Sequence, residues 1–157
     1  MSSNVHDDVF LLSKLDSTLK PMPTVLIVDD SDSVRIAGRA LFEAEPGFRV
    51  VGEAVNGMDA IDKADELAPD LIVLDLSMPI MNGLEAAETL KSNSPSTPIF
   101  ILTAHGGPEV DRAARAAGVD GVFSKAGEDM DKMIASARAT FDGKKSKKRT
   151  AKSKQTT

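Results

Sequence analysis

The chain of 157 residues contains no cysteine and only two histidines. Without cysteine there is no disulfide framework, no thiolate zinc site and no cysteine nucleophile. Two histidines leave little for a histidine-rich metal site. Long apolar runs are missing too, none approaching the roughly 18 residues of a membrane span. Met1 to Asn4, followed by His6, Asp7 and Asp8, lack the basic region and the small-residue cleavage site of a signal peptide, so export is not expected and a cytoplasmic location is. What is there, 41% hydrophobic and 27% charged residues, suits a soluble globular protein of one domain with tails.

The final fourteen residues lack acid altogether. They hold seven cations, Lys144, Lys145, Lys147, Lys148, Arg149, Lys152 and Lys154, so the formal charge of −5 conceals twelve cations against twenty-four acids in residues 1–143. An acidic globule with a separate basic tail chooses two kinds of partner.

Between residues 24 and 143 short β-branched runs alternate with helical patterns. Thr24 to Val28 is a near-continuous apolar run ending in Asp29-Asp30, and Val34, Ala37, Ala40, Leu41 and Ala44 follow at helical spacing, with Ser31 or Asp32 as N-cap candidates. Phe48 to Ala54 reads as a second strand. Asn56 caps a second helix bearing Ala60, Ile61, Ala64 and Leu67, which Pro69 stops. Leu71 to Leu74 makes a third strand and Gly83 to Leu90 a third helix. Ile99 to Thr103 is the fourth strand, followed by a helix with Pro108 in its first turn; Val119 to Ser124 is the fifth. Met130, Met133, Ile134, Ala137 and Phe141 line a fifth helix. Five βα units with buried-looking strands call for an α/β fold, a five-stranded doubly wound parallel sheet with helices on both faces. A closed eight-stranded barrel needs about 250 residues.

Two segments lie outside this unit. Residues 1–23 carry Val5, Val9, Leu12, Leu15 and Leu19, the pattern of a short amphipathic helix, ended by Pro21 and Pro23. Residues 143–157 hold one apolar residue, Ala151, and are expected to be a disordered basic tail.

Ligands of such sheets gather beyond the carboxyl ends of the strands. Strand one stops at Asp29-Asp30, strand three at Asp75, strand four at Thr103 and strand five at Lys125. Each alone has an ordinary explanation, since aspartate caps helices and lysine is usually solvated. Asp75 is harder to dismiss, because its helix starts only near Gly83. Two carboxylates about 4 Å apart repel by roughly 4 kcal/mol at an effective dielectric of 20, so a cation belongs among them. Lys125 supplies one charge, and an all-oxygen donor set fits Mg²⁺. A carboxylate, a divalent ion, a hydroxyl and a lysine around one cavity are equipment for moving a phosphoryl group.

Val25-Leu26-Ile27-Val28-Asp29-Asp30, Leu71 to Pro79 with Asn82-Gly83, Ile99 to Ala104 and Gly121 to Lys125 resemble the successive motifs of the receiver domain of bacterial two-component response regulators. The spacing also matches, 45 residues from Asp30 to Asp75, 28 on to Thr103 and 22 on to Lys125. The resemblance spans residues 24 to about 141, setting a receiver domain at 24–142, and implies a flavodoxin-like (βα)5 fold with strand order 2-1-3-4-5. It implies that Asp75 is the phosphoacceptor and that Asp29 and Asp30 hold Mg²⁺ together with Asp75 and the Ser77 carbonyl. Thr103 would be the switch hydroxyl and Lys125 the ion-pair partner of the phosphoryl group. Ala104 would leave the site accessible, and Ser77 and His105 match positions that tune the access of water.

Two departures stand out. The residue three before the lysine, often an aromatic that couples to the switch hydroxyl, is Val122, with Phe123 expected on the opposite face of the strand. Ala126 follows the lysine in place of a common proline. The function implied is that of a stand-alone receiver, a phosphoacceptor rather than an enzyme proper. It would take phosphate from a histidine kinase or phosphotransfer protein and signal through the fourth helix, fifth strand and fifth helix. No helix-turn-helix module fits after Phe141. Two other readings compete: phosphorylation-regulated nucleic-acid binding through the lysine-rich tail, and an aspartyl-nucleophile phosphatase, which commonly carries a second aspartate where this chain has Ser77.

Overall fold

The computed structural model describes residues 22–44 and 47–153. The amphipathic helix expected in residues 1–23 falls almost wholly outside them. Five strands, β1 (Thr24–Val28), β2 (Arg49–Ala54), β3 (Leu71–Asp75), β4 (Ile99–Thr103) and β5 (Gly121–Ser124), alternate with helices α1 (Asp32–Ala44), α2 (Gly57–Leu67), α3 (Gly83–Asn93), α4 (Pro108–Ala116) and α5 (Asp129–Ser153). All strand pairs are parallel, in the order β2-β1-β3-β4-β5. The expected architecture and strand order are therefore both present.

Alternation along the strands splits the core into two layers. Val25, Ile27, Leu71, Val73, Phe100 and Leu102 face α1 and α5, where Phe42, Met133, Ile134 and Ala137 close the packing. Leu26, Val28, Ile72, Leu74, Ile99 and Ile101 face the other way, onto Ala60 of α2, Ala86, Ala87 and Leu90 of α3, and Ala117 just beyond α4. Strands buried on both faces explain the unbroken apolar runs in the sequence. In β5, Phe123 joins the α1/α5 layer, its ring 5.2 Å from that of Phe100, while Val122 packs on the opposite layer. The two lie on opposite faces of the strand, as expected.

Local chemistry sets the helix ends. Asn56 accepts from the Asp59 N–H at 2.8 Å, capping α2, and Ala68 closes that helix in a left-handed conformation just before Pro69. Asn82 caps α3 the same way through the Glu85 N–H.

One boundary differs from expectation: α5 runs on to Ser153, so residues 143–153 are helical rather than disordered. The first half of α5 is anchored on the sheet by Met133, Ile134, Ala137 and Phe141. Extending an anchored helix adds a hydrogen bond per residue without a new nucleation cost. Lys, Arg and Ala are good helix formers, and Gly143 opposes them by only about 1 kcal/mol. Burial is not needed for helicity once the first turns are fixed.

Candidate functional site

The carboxyl ends of β1, β3, β4 and β5 lie side by side because Val28 pairs with Leu74, Asp75 with Leu102 and Thr103 with Ser124. Carboxylate oxygens of Asp29, Asp30 and Asp75 come within 4.8 Å of one another. Asp29 and Asp75 are buried and Asp30 is exposed. Lys125 spans the two buried acids, its Nζ 2.7 Å from Asp29 Oδ2 and 3.1 Å from Asp75 Oδ1. Four of the residues expected from the sequence thus form one cluster.

Burial and the neighbouring charge of Asp29 push the Asp75 carboxyl up from its ordinary range, against the pull of Lys125 and of the Ser77 N–H. That N–H donates to Asp75 Oδ1 over a long 3.4 Å. For Lys125 burial is the largest single influence and works to lower the pKa, yet hydrogen bonds and charge from Asp29 and Asp75 outweigh it, so the ammonium titrates above its ordinary value. Asp29 is further held by the Ser31 N–H, which donates to Oδ1 at 2.8 Å.

Thr103 is buried at the end of β4, but its hydroxyl is engaged with the following loop. It accepts from the His105 N–H and faces the His105 carbonyl, each at 3.2 Å. The Lys125 N–H donates to the Thr103 carbonyl at 2.9 Å, so the two residues are joined through the backbone rather than through side chains. Ser77, Ala104 and His105 are exposed at the rim.

The loop after Asp75 is tightly constrained. A Cβ at Gly83 would lie 2.2 Å from the Asp75 carbonyl oxygen, so only glycine lets α3 begin against the end of β3. Ile80, exposed and with φ 73°, is the centre of a γ-turn closed by the Met81 N–H on the Pro79 carbonyl at 2.8 Å. Such a conformation in a β-branched residue costs about 1–3 kcal/mol, strain of the kind found beside functional sites.

The donor set fits a hard divalent cation. Three carboxylates converge with no imidazole or thiolate donor among them, one of them open to water, against the single ammonium of Lys125. Geometry also brings in Arg35, which sequence reading passed over. Its guanidinium donates to the Asp29 carbonyl at 2.7 Å. The signal was present: Arg35, Gly38 and Phe42 follow i, i+3, i+7 spacing, placing an arginine on the inward stripe of α1.

Residues 25–138 match the family model of the response regulator receiver domain. The nitrate/nitrite response regulator protein NarL of Escherichia coli K12 is 40% identical over 102 residues, which is 65% of this chain and 47% of that protein. A protein-glutamate methylesterase/protein-glutamine glutaminase of Methanosarcina acetivorans is 40% identical over 98 residues, 60% of this chain and 28% of the relative. The chain spans less than two thirds of the length of the curated relatives it matches, between 28% and 58%. Among solved structures, a LuxR-family two-component response regulator from Aurantimonas sp. SI85-9A1 is similar with a TM-score of 0.73 at 31% identity, covering 78% of this chain and 86% of that one.

Proposed function

The chain belongs to the family of response regulator receiver domains, and on that premise we propose that Asp75 accepts a phosphoryl group from the phosphohistidine of a sensor kinase or phosphotransfer protein, the chain acting as a cytoplasmic receiver. The observation that carries this reading is the buried Asp75 carboxylate held between Lys125 and the two other acids of the cluster.

In the transfer, an oxygen of Asp75 attacks phosphorus, a new O–P bond forms and the donor's N–P bond breaks, its electron pair leaving with the imidazole. Asp29, Asp30 and Asp75, with the Ser77 carbonyl, would hold Mg²⁺, which when bound neutralises phosphoryl oxygens. Lys125, now shared between two carboxylates, exchanges the one on Asp75 for a phosphoryl oxygen. Thr103 leaves its bonds to the His105 backbone to donate its hydroxyl proton to another. That exchange pulls on the loop from Ala104 to Pro108, while Lys125 pulls on β5. The output surface in this reading is therefore α4, β5 and the docked half of α5. Val122 in place of an aromatic removes one means of coupling, so the shift between two conformations is incomplete rather than all-or-none.

Acetyl phosphate, a small phosphodonor, should raise the intact mass by one phosphoryl group in the presence of Mg²⁺ and not in the presence of a chelator. Asp30→Ala loses one ligand charge and should need at least about tenfold more Mg²⁺ for the same rate. A wild-type protein that gains no mass at saturating Mg²⁺ would overturn the proposal.

A further inference from the structure

We infer that Arg35 is a positioning residue for the cation half of this site, setting where the Asp30 carboxylate stands by holding the peptide that joins Asp29 to Asp30. The inference deepens the reading given above and rests on it for the identity of the ion.

The Arg35 guanidinium is a three-way fork. Nη1 donates to the Asp29 carbonyl at 2.7 Å, Nη2 pairs with the Asp32 carboxylate, and Nε lies 3.7 Å from Glu53 Oε1. The side chain is only 12% exposed, so its position is set by packing as well as by charge. It ties the end of β1 to the start of α1 and to β2.

A peptide unit is planar, so fixing the Asp29 carbonyl also fixes the direction of the Asp30 N–H and the position of the Asp30 Cα. The two acids differ in how much they need this. Asp29 has its own anchors, Lys125 and the Ser31 N–H on its carboxylate and the Ala54 carbonyl on its N–H. Asp30 is exposed, and among the described residues its carboxylate makes no hydrogen bond or ion pair. Its place in the cluster is inherited from the backbone, and the side-chain bond on that backbone comes from Arg35.

Charge placement supports the same role. Lys125 sits among the clustered carboxylates and competes with an incoming cation, whereas the Arg35 charge is met by Asp32 and Glu53 outside the cluster. It therefore organises the turn without occupying the site. Arg39, one turn further along α1, supplies an internal control. It also binds Glu53, at 3.2 Å, and Glu43 at 3.0 Å, but neither partner belongs to the turn after β1.

The test compares the full chain as wild type, Arg35→Met, Arg35→Lys and Arg39→Met. Mg²⁺ alone is titrated first, followed by NMR shifts around Asp75, without any phosphodonor. Arg35→Met should weaken Mg²⁺ binding about tenfold, in the range seen when the support of a metal ligand is removed. Arg35→Lys should recover part of the loss, because an ammonium reaches one acceptor but cannot reproduce the planar fork. Arg39→Met should stay within about twofold of wild type. With acetyl phosphate, the half-saturating Mg²⁺ concentration should rise by the same factor in Arg35→Met while the maximal rate at saturating Mg²⁺ is unchanged. Thermal melts in chelator report folding, and if Arg35→Met does not fold, the intermediate affinity of Arg35→Lys decides the matter. Unchanged Mg²⁺ affinity in the Arg35 variants, or equal losses in Arg35→Met and Arg39→Met, would overturn the inference. A wild type that binds Mg²⁺ but takes no phosphate would sink the phosphoacceptor reading instead, leaving the affinity comparison intact.

Discussion

Lys125→Met should destabilise the metal-free protein by about 2–3 kcal/mol, somewhat below the ~3–5 kcal/mol lost when one partner of a fully buried ion pair is deleted. Asp29 and Asp75 are left facing each other in a buried position with no cation between them. The cost is trimmed because one carboxylate can take up a proton and because Lys125 is 22% exposed. The ion should restore part of what the lysine supplied. Mg²⁺ no longer competes with an ammonium, so it should raise the melting temperature of Lys125→Met by more than that of wild type. The pH dependence follows from the raised lysine pKa. Wild type keeps its advantage throughout neutral pH and loses it only as pH climbs past the ordinary lysine value toward the raised one. Urea titrations with and without Mg²⁺ measure all of this, and equal Mg²⁺ increments in the two proteins would contradict the picture of a lysine seated in the cation site.

Asp75→Asn should do the opposite, stabilising the metal-free protein at neutral pH by about 1 kcal/mol while abolishing phosphoryl uptake. The sign comes from the upward shift of the Asp75 carboxyl through burial and the nearby Asp29. A carboxyl that binds its proton more tightly when folded favours the fold at low pH. Its contribution turns unfavourable as pH rises from the ordinary aspartate range through the raised folded value. At neutral pH the penalty acts on wild type and is absent in the amide variant, which keeps an oxygen for the Ser77 N–H and Lys125. The difference in urea midpoint should widen from pH 4 to pH 7, and Mg²⁺ should narrow it. A less stable Asp75→Asn at pH 7 in chelator would mean that Lys125 binds Asp75 more strongly than desolvation and Asp29 oppose it.

The strands were legible because both of their faces are buried, which writes an apolar run for each and ends it where the chain meets water at Asp29-Asp30, Asp75 and Thr103. Parallel pairing then brings those ends to one edge, so the strand ends alone group three carboxylates with Lys125. What escaped were features that depend on where a side chain turns. The Thr103 hydroxyl faces the His105 backbone, a matter of one rotamer that spacing does not encode. Residue type does not separate Arg35 from Arg39, and only its place on the Gly38–Phe42 stripe marks it as inward-facing. The close approach of Gly83 to the Asp75 carbonyl is likewise a distance, invisible in a motif until the loop is folded. The far end of α5 is hidden for a different reason, since a stretch without apolar residues carries no burial signal even where it continues a helix already anchored by Phe141 and its neighbours.

The central claim, that Asp75 rather than another acid of the cluster carries the phosphoryl group, is tested most directly by trapping the modified residue. The protein is treated with acetyl phosphate and Mg²⁺ and then with borohydride, which reduces an aspartyl phosphate to homoserine, and the altered residue is located by peptide mass spectrometry. Conversion at position 75 alone, lost entirely in Asp75→Asn, is the predicted result. Conversion at Asp29 or Asp30 in the wild-type protein, or an undiminished mass gain in Asp75→Asn, would contradict it.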